Sequence, residues 1–267
     1  MKPIMIIAVN AFRETVRDKI LYNLVLFALG LILFSLMLGD WSVFARVNVI
    51  KDFTMAVMSI SGLLMSIFIG IGLVQKEIQR KTILTLLAKP LPRWHFIVGK
   101  YLGLLMVLAM NLAVMTLVFF LLLRYIGERP TPSLVTAIYL IFMEMAVITA
   151  AALLFSAFST PTLSALFTLG IYVAGHLSGD LLNHLEFIRK YGQRLPGTPV
   201  ITPFTEKLIH FVYYAIPNLE NFNIRGRVVY NLPIPEHYVL YTSLYGLVFI
   251  CIYLLIASLW FSKRDFI

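Results

Sequence analysis

The sequence predicts an all-helical integral membrane protein with six transmembrane helices. Three observations carry this expectation. About 60% of the 267 residues are apolar and only 13% are charged, against roughly a half and a quarter in a soluble domain. The apolar residues come in blocks. Several blocks reach the length of about 20 residues that a helix needs to cross about 30 Å of hydrocarbon.

Taken in order, residues 4–19 are too polar to span. Met5, Ala8, Val9, Phe12 and Val16 follow helical spacing, and Asn10, Arg13, Glu14, Arg17 and Asp18 lie off that stripe. The pattern is that of a helix lying in the membrane interface, or of an amphipathic lead-in to the first span. The spans are expected at residues 20–38, 53–74, 101–123, 134–158, 163–177 and 238–261. The fifth is short, and Gly179 is positioned to break it. The first is too long for a cleavable signal core, and Leu38-Gly39-Asp40-Trp41 has no small-x-small cleavage site. The whole chain, 1–267, reads as one transmembrane domain, and no repeat or soluble domain is evident.

The formal net charge is +9. Its distribution points to lipid rather than to nucleic acid. Lys2, Arg13, Arg17 and Lys19 precede the first span. Lys76, Arg80, Lys81, Lys89, Arg93 and Lys100 fill the connection at 75–100, and Lys263 and Arg264 close the chain. The loops at 39–52 and 124–133 hold fewer. This asymmetry places both termini and residues 75–100 in the cytoplasm, where they meet anionic lipid. Residues 179–237 then form a long extracytoplasmic connection. It carries as many cations as 75–100, but long segments cross largely regardless of charge. Six of its residues are proline, at 196, 199, 203, 217, 233 and 235. The apolar-aromatic stretch from Phe204 to Ile216 suits a short interfacial or re-entrant helix.

The stretch at 75–100 is the most informative. A charged half containing Glu77, Arg80 and Lys81 precedes an apolar half containing Leu84, Leu86 and Leu87. Pro90 and Pro92 then force a turn ahead of Arg93. The residues describe a short cytoplasmic helix with a rigid elbow, able to pass a push from a soluble partner into spans 2 and 3. A basic loop obeying the positive-inside rule has the same composition.

Within the spans, Gly62, Ser66 and Gly70 place small residues every four positions, which lets helices approach closely in lipid. They serve a dimer or pathway interface, or packing inside one subunit. Glu144 lies near the middle of span 4, where a carboxylate costs at least about 2–3 kcal/mol and must face protein or water. It lines a pathway, or it packs against a hydroxyl on another span. Asn111 in span 3 and Asn23 in span 1 pose the same choice between pathway and packing more weakly, and fit packing better. His176, Asp180 and His184 recur every fourth residue, a spacing that can bind metal if span 5 continues as a helix. Solvated side chains at an interface show the same spacing, and no metal is assigned to them. Cys251 stands alone, so no internal disulfide can form. No His-Glu-x-x-His, paired-cysteine or Gly-x-Ser-x-Gly motif points to an intramembrane enzyme.

The ordered set of features at 75–100 resembles the ABC-2 type permeases of ABC transporters. Glu77 follows span 2, Leu84-Thr85-Leu86-Leu87 makes a Leu-rich turn, and Pro90-Leu91-Pro92-Arg93 and Gly99-Lys100 lead into span 3. The ending Phe261-Ser262-Lys263-Arg264-Asp265-Phe266 resembles the family's basic-Arg-Asp-Phe close. The likeness covers nearly the whole chain. It is strongest to the subgroup holding the permease of the nitrous oxide reductase maturation transporter. It implies that 75–100 contains a coupling helix docked on a separate P-loop ATPase, with Glu77, Arg80, Leu87, Pro90 and Arg93 in the contact. It also implies a second permease chain, a site in the inner membrane, and export. The chain has no Gly-x-x-x-x-Gly-Lys-Ser/Thr loop. ATP and magnesium are therefore expected on the partner, with no cofactor on this chain. A membrane scaffold or passive channel without an ATPase is the competing expectation.

Overall fold

The computed structural model describes residues 2–42, 45–79, 93–191 and 202–263. The chain divides into two compact units, 1–168 with 222–267, and 169–221. Among the described residues every regular element is helical. They are α1 (Lys2–Val16), α2 (Lys19–Asp40), α3 (Arg46–Gln79), α4 (Arg93–Tyr125), α5 (Pro132–Phe158), α6 (Pro161–Tyr191), α7 (Pro203–Ala215), α8 (Arg225–Val229) and α9 (Tyr238–Lys263). A 3-10 turn covers Leu219–Phe222. Six of the helices, α2 to α6 and α9, are long and apolar enough to cross a membrane.

Local chemistry sets the breaks. Asp18 caps α2 by accepting from the Ile20 N–H at 3.1 Å. At the end of α4, Gly127 adopts φ +86°. The Glu128 N–H donates to Leu123 O at 2.9 Å and the Gly127 N–H to Arg124 O at 3.2 Å. This paired Schellman arrangement stops the helix. Pro132 and Pro161 occupy first helical positions, and Pro161 drives Thr160 out of helical geometry to separate α5 from α6.

Contacts along the larger unit fix the helix directions. Gly39 meets Ile50, and Ser35 meets Thr54 at 3.5 Å, so α2 and α3 are antiparallel. Ser61 meets Met115, and Gly70 faces Leu104, so α3 and α4 are antiparallel too. Ser59 and Ser66 pair with Glu144 and Thr149, so α3 and α5 run parallel. Tyr139 pairs with Ser243, and Phe158 with Trp260, so α5 and α9 run parallel. The start of α2, the end of α3, the start of α4 and the end of α9 therefore share one end of this unit. Phe96 of α4 stacks on Phe261 of α9 there, at 5.3 Å between ring centroids.

Helix α5 is the centre. It is apolar on all sides, and α3, α4, α8 and α9 surround it. Its run Ala150-Ala151-Ala152 is fully buried, and small side chains there let neighbours come close. Helices α2 and α9 instead show Leu26, Phe27, Leu33, Leu247 and Leu255 on the outside, as lipid-facing helices do.

The fifth apolar helix is a correction. It does not end near residue 177 but continues to Tyr191. Gly179 does not break it. In the unit 169–221, Gly175 and Gly179 receive Pro217, Asn218 and Leu219, whose atoms lie 2.7–3.0 Å from where a Cβ would stand. A glycine inside a helix costs only about 1 kcal/mol, which the helix sustains where the missing side chain is needed for a close approach. Helix α3 likewise starts at Arg46, ahead of the apolar run at 53. Charged residues end hydrophobicity, not helicity: Lys51 is buried and lies 3.9 Å from Glu128.

Candidate functional site

Two polar sites are built into the larger unit, one along α3 and α5 and one where α1 meets α4. The first begins with Ser59, whose hydroxyl donates to Glu144 Oε2 at 2.9 Å. Both side chains are buried. One turn on, Gly62 leaves room for Met145, whose side chain fills the place of a Cβ. Another turn on, Ser66 lies 3.0 Å from Thr149 Oγ1. The Thr149 proton goes to Met145 O at 2.7 Å, so Ser66 is the donor between the two. A Cβ on Gly70 would stand 3.5 Å from Ala152 Cβ. From α4, the Tyr101 hydroxyl donates to Ala146 O at 3.2 Å. A small gap lined by Met65, Ser66, Gly70, Leu104 and Thr149 runs beside the seam.

Gly62, Ser66 and Gly70 thus receive α5 of their own chain. Glu144 faces protein, as a carboxylate at that depth must. Asn111 is also buried, and its amide Nδ2 has no hydrogen-bond partner among the described residues.

The second site lies at the shared end of α3, α4 and α9. Gly99 and Gly103 open the surface of α4. A Cβ on Gly99 would stand 2.8 Å from Ile7, and one on Gly103 would stand 2.6 Å from Ala8 O and from Ala11 Cβ. The face of α1 that docks there is Ala8, Ala11 and Thr15, all fully buried. Met5 and Ile6 remain outside. Backbone contact selects small side chains, so the docking face shares only Ala8 with the stripe visible in the sequence. Between the glycines, Lys100 is buried to 2% exposure. Its ammonium lies 3.7 Å from Glu14 and 5.6 Å from the centre of the Phe96 ring. This pairing and the buried Lys51 are the features that sequence reasoning missed. The signal for the first was present as Gly99-x-x-x-Gly103 opposite Ala8-x-x-Ala11.

The segment expected to couple to a partner is bounded by these helices. Glu77 falls on the last turns of α3 and Arg93 is the first residue of α4. Arg80, Leu87 and Pro90 lie outside the described residues. In the smaller unit, His176 Nδ1 lies 3.1 Å from Glu220 Oε2 and packs edge-on to Tyr172. His176, Asp180 and His184 all fall on α6, and no group of three or more His, Cys, Asp or Glu converges among the described residues.

A bundle around a buried polar seam, with six helices long and apolar enough to cross a bilayer, describes a multi-pass membrane protein. A family model described as ABC-2 family transporter protein matches residues 5–266, so the chain belongs to that family. Its members are membrane transport components, not enzymes in themselves, and work with a separate ATPase subunit. A comparison with curated proteins finds no match.

Proposed function

We infer that the chain is the permease subunit of an ATP-driven exporter. Two such chains pair around a pathway in the inner membrane, with both termini and residues 75–100 in the cytoplasm. A separate P-loop ATPase, holding ATP and magnesium, docks on that segment through Glu77, Arg80, Leu87, Pro90 and Arg93. Within the family, the motifs at 75–100 and at the C-terminus favour the subgroup of the nitrous oxide reductase maturation permease.

The observation that carries this reading is the convergence of helix ends. Residues 80–92 lie between α3 and α4 in the sequence, and the described end of α3 and start of α4 share one end of the unit with the end of α9. A partner seated on that segment reaches α3 and α4 directly, and through α3 it reaches the Ser59–Glu144 and Ser66–Thr149 contacts. ATP-driven closure of the partner then has differential contacts with which to shift the bundle between two arrangements, as any switch requires.

The test is co-purification of a P-loop ATPase with the tagged, full-length chain from its native membrane. The double variant Glu77→Ala/Arg93→Ala is expected to lose the ATPase or to lower stimulated hydrolysis at least about tenfold, the loss of one good charge-assisted contact. Unchanged assembly and hydrolysis would overturn the coupling assignment. A chain that never carries an ATPase through purification is instead the passive channel or scaffold.

A further inference from the structure

Helix α1 does not close completely on α4. Beside the Gly99–Gly103 contact a groove of about 410 Å³ remains, within the size range of small-ligand sites. Met5, Ile6, Val9 and Phe96 give it an apolar wall, and Asn10, Arg13 and Lys100 give it a polar one. Met5 and Ile6 are 61% and 69% exposed, although they sit on a helix whose other face is fully packed. Arg13 is exposed and has no ion-pair partner among the described residues. Glu14 faces Lys100 at 3.7 Å, and Arg13 adds a second basic side chain to the polar wall. The groove lies beside Lys100, after which α4 runs apolar from Tyr101 to Met110, a sequence boundary of the kind found where hydrocarbon meets headgroup.

We propose that this groove is a binding site for one anionic phospholipid. The phosphate sits on the Arg13 guanidinium with the Asn10 amide beside it, and an acyl chain runs along Met5, Ile6, Val9 and Phe96. An amphiphile satisfies both walls at once, which a soluble anion cannot do. The lipid fills the space that the small docking face of α1 leaves open, and so fastens α1 to the base of α4.

The test uses the full-length protein, incubated with mixed vesicles of phosphatidylglycerol and phosphatidylcholine, extracted in neutral detergent and read by native mass spectrometry. Phosphatidylglycerol is expected to be retained over phosphatidylcholine by about fivefold, the effect of one basic side chain at a lipid surface. Arg13→Gln should bring the two lipids to parity, and Arg129→Gln, which removes an exposed cation from the loop between α4 and α5, should not. Val9→Trp, which fills the groove, should reduce retention in protein that still elutes as a single species. Equal retention of both lipids, an equal fall in the two arginine variants, undiminished retention by Val9→Trp, or displacement by inorganic phosphate would each overturn the proposal. None of these outcomes touches the ATPase partner, which its own co-purification tests.

Discussion

The α3–α5 seam and the α1–α4 junction solve the same problem in different surroundings. Each brings two helices close through a glycine, and each buries an ionisable side chain. In the seam Glu144 meets a neutral hydroxyl, Ser59. At the junction Lys100 meets a carboxylate, Glu14, which is itself 37% exposed. Deep in the bundle an opposite charge would have to be desolvated with its partner, and that penalty can exceed the attraction. At the edge, one partner keeps its water and the pair costs less. The glycines differ as well. The place of a Gly62 Cβ is taken by the flexible side chain of Met145, whereas that of Gly103 abuts the backbone of α1. The seam can adjust by moving a side chain. The junction can adjust only by moving a helix.

The largest expected effect follows from that difference. Gly103→Val forces α1 off α4, because a carbonyl oxygen 2.6 Å from the new Cβ cannot turn aside. Overpacking of this kind costs about 3 kcal/mol. The readout is limited trypsin digestion at Arg13 and Arg17, expected to become fast, together with a lower melting temperature in detergent. Gly62→Ala is expected to cost about 1 kcal/mol, with Met145 changing rotamer. Equal losses from the two substitutions would erase the distinction drawn between seam and junction.

How much of this the sequence shows depends on what each feature rests on. The spans are legible because about 20 consecutive apolar residues have few other uses. The small residues Gly62, Ser66 and Gly70 are legible as a packing stripe, but not as a face for α5, because spacing along one helix does not name the helix opposite. The length of α6 was not legible. Gly179 is an equally good signal for a helix end and for a close approach, and only the position of Asn218 decides between them. The Glu14–Lys100 pair joins residues far apart in the chain: Gly99-x-x-x-Gly103 and Ala8-x-x-Ala11 each signal a close approach, but neither names the other as its partner.

Glu144 gives a middle-sized test and sharpens what the seam is for. Glu144→Ala leaves the Ser59 hydroxyl without the acceptor it now has at 2.9 Å, a loss of about 1–2 kcal/mol. Glu144→Gln keeps an acceptor in place and should melt within about 0.5 kcal/mol of the parent. Stability alone therefore separates the two substitutions if the carboxyl serves packing. Measured beside ATPase stimulation in vesicles, Glu144→Gln also asks about the pathway. Stimulation unchanged with stability unchanged assigns Glu144 to structure. Stimulation lost with stability unchanged assigns it to transport.

The smallest effect is expected about two turns further along α3, at Ser66. Ser66 donates to Thr149, but Thr149 keeps its own bond to Met145 O at 2.7 Å whatever Ser66 does. Ser66→Ala therefore strands no donor, and interhelical hydrogen bonds in membranes are worth about 0.6 kcal/mol on average. A double-mutant cycle of Ser66→Ala with Thr149→Val, read by reversible unfolding in detergent, should give a coupling of that size. A coupling of about 2 kcal/mol or more would mean that the seam is held by its hydroxyls rather than by the fit of Gly62 against Met145. The freedom of α3 to shift against α5 would then be much smaller than a flexible methionine contact allows.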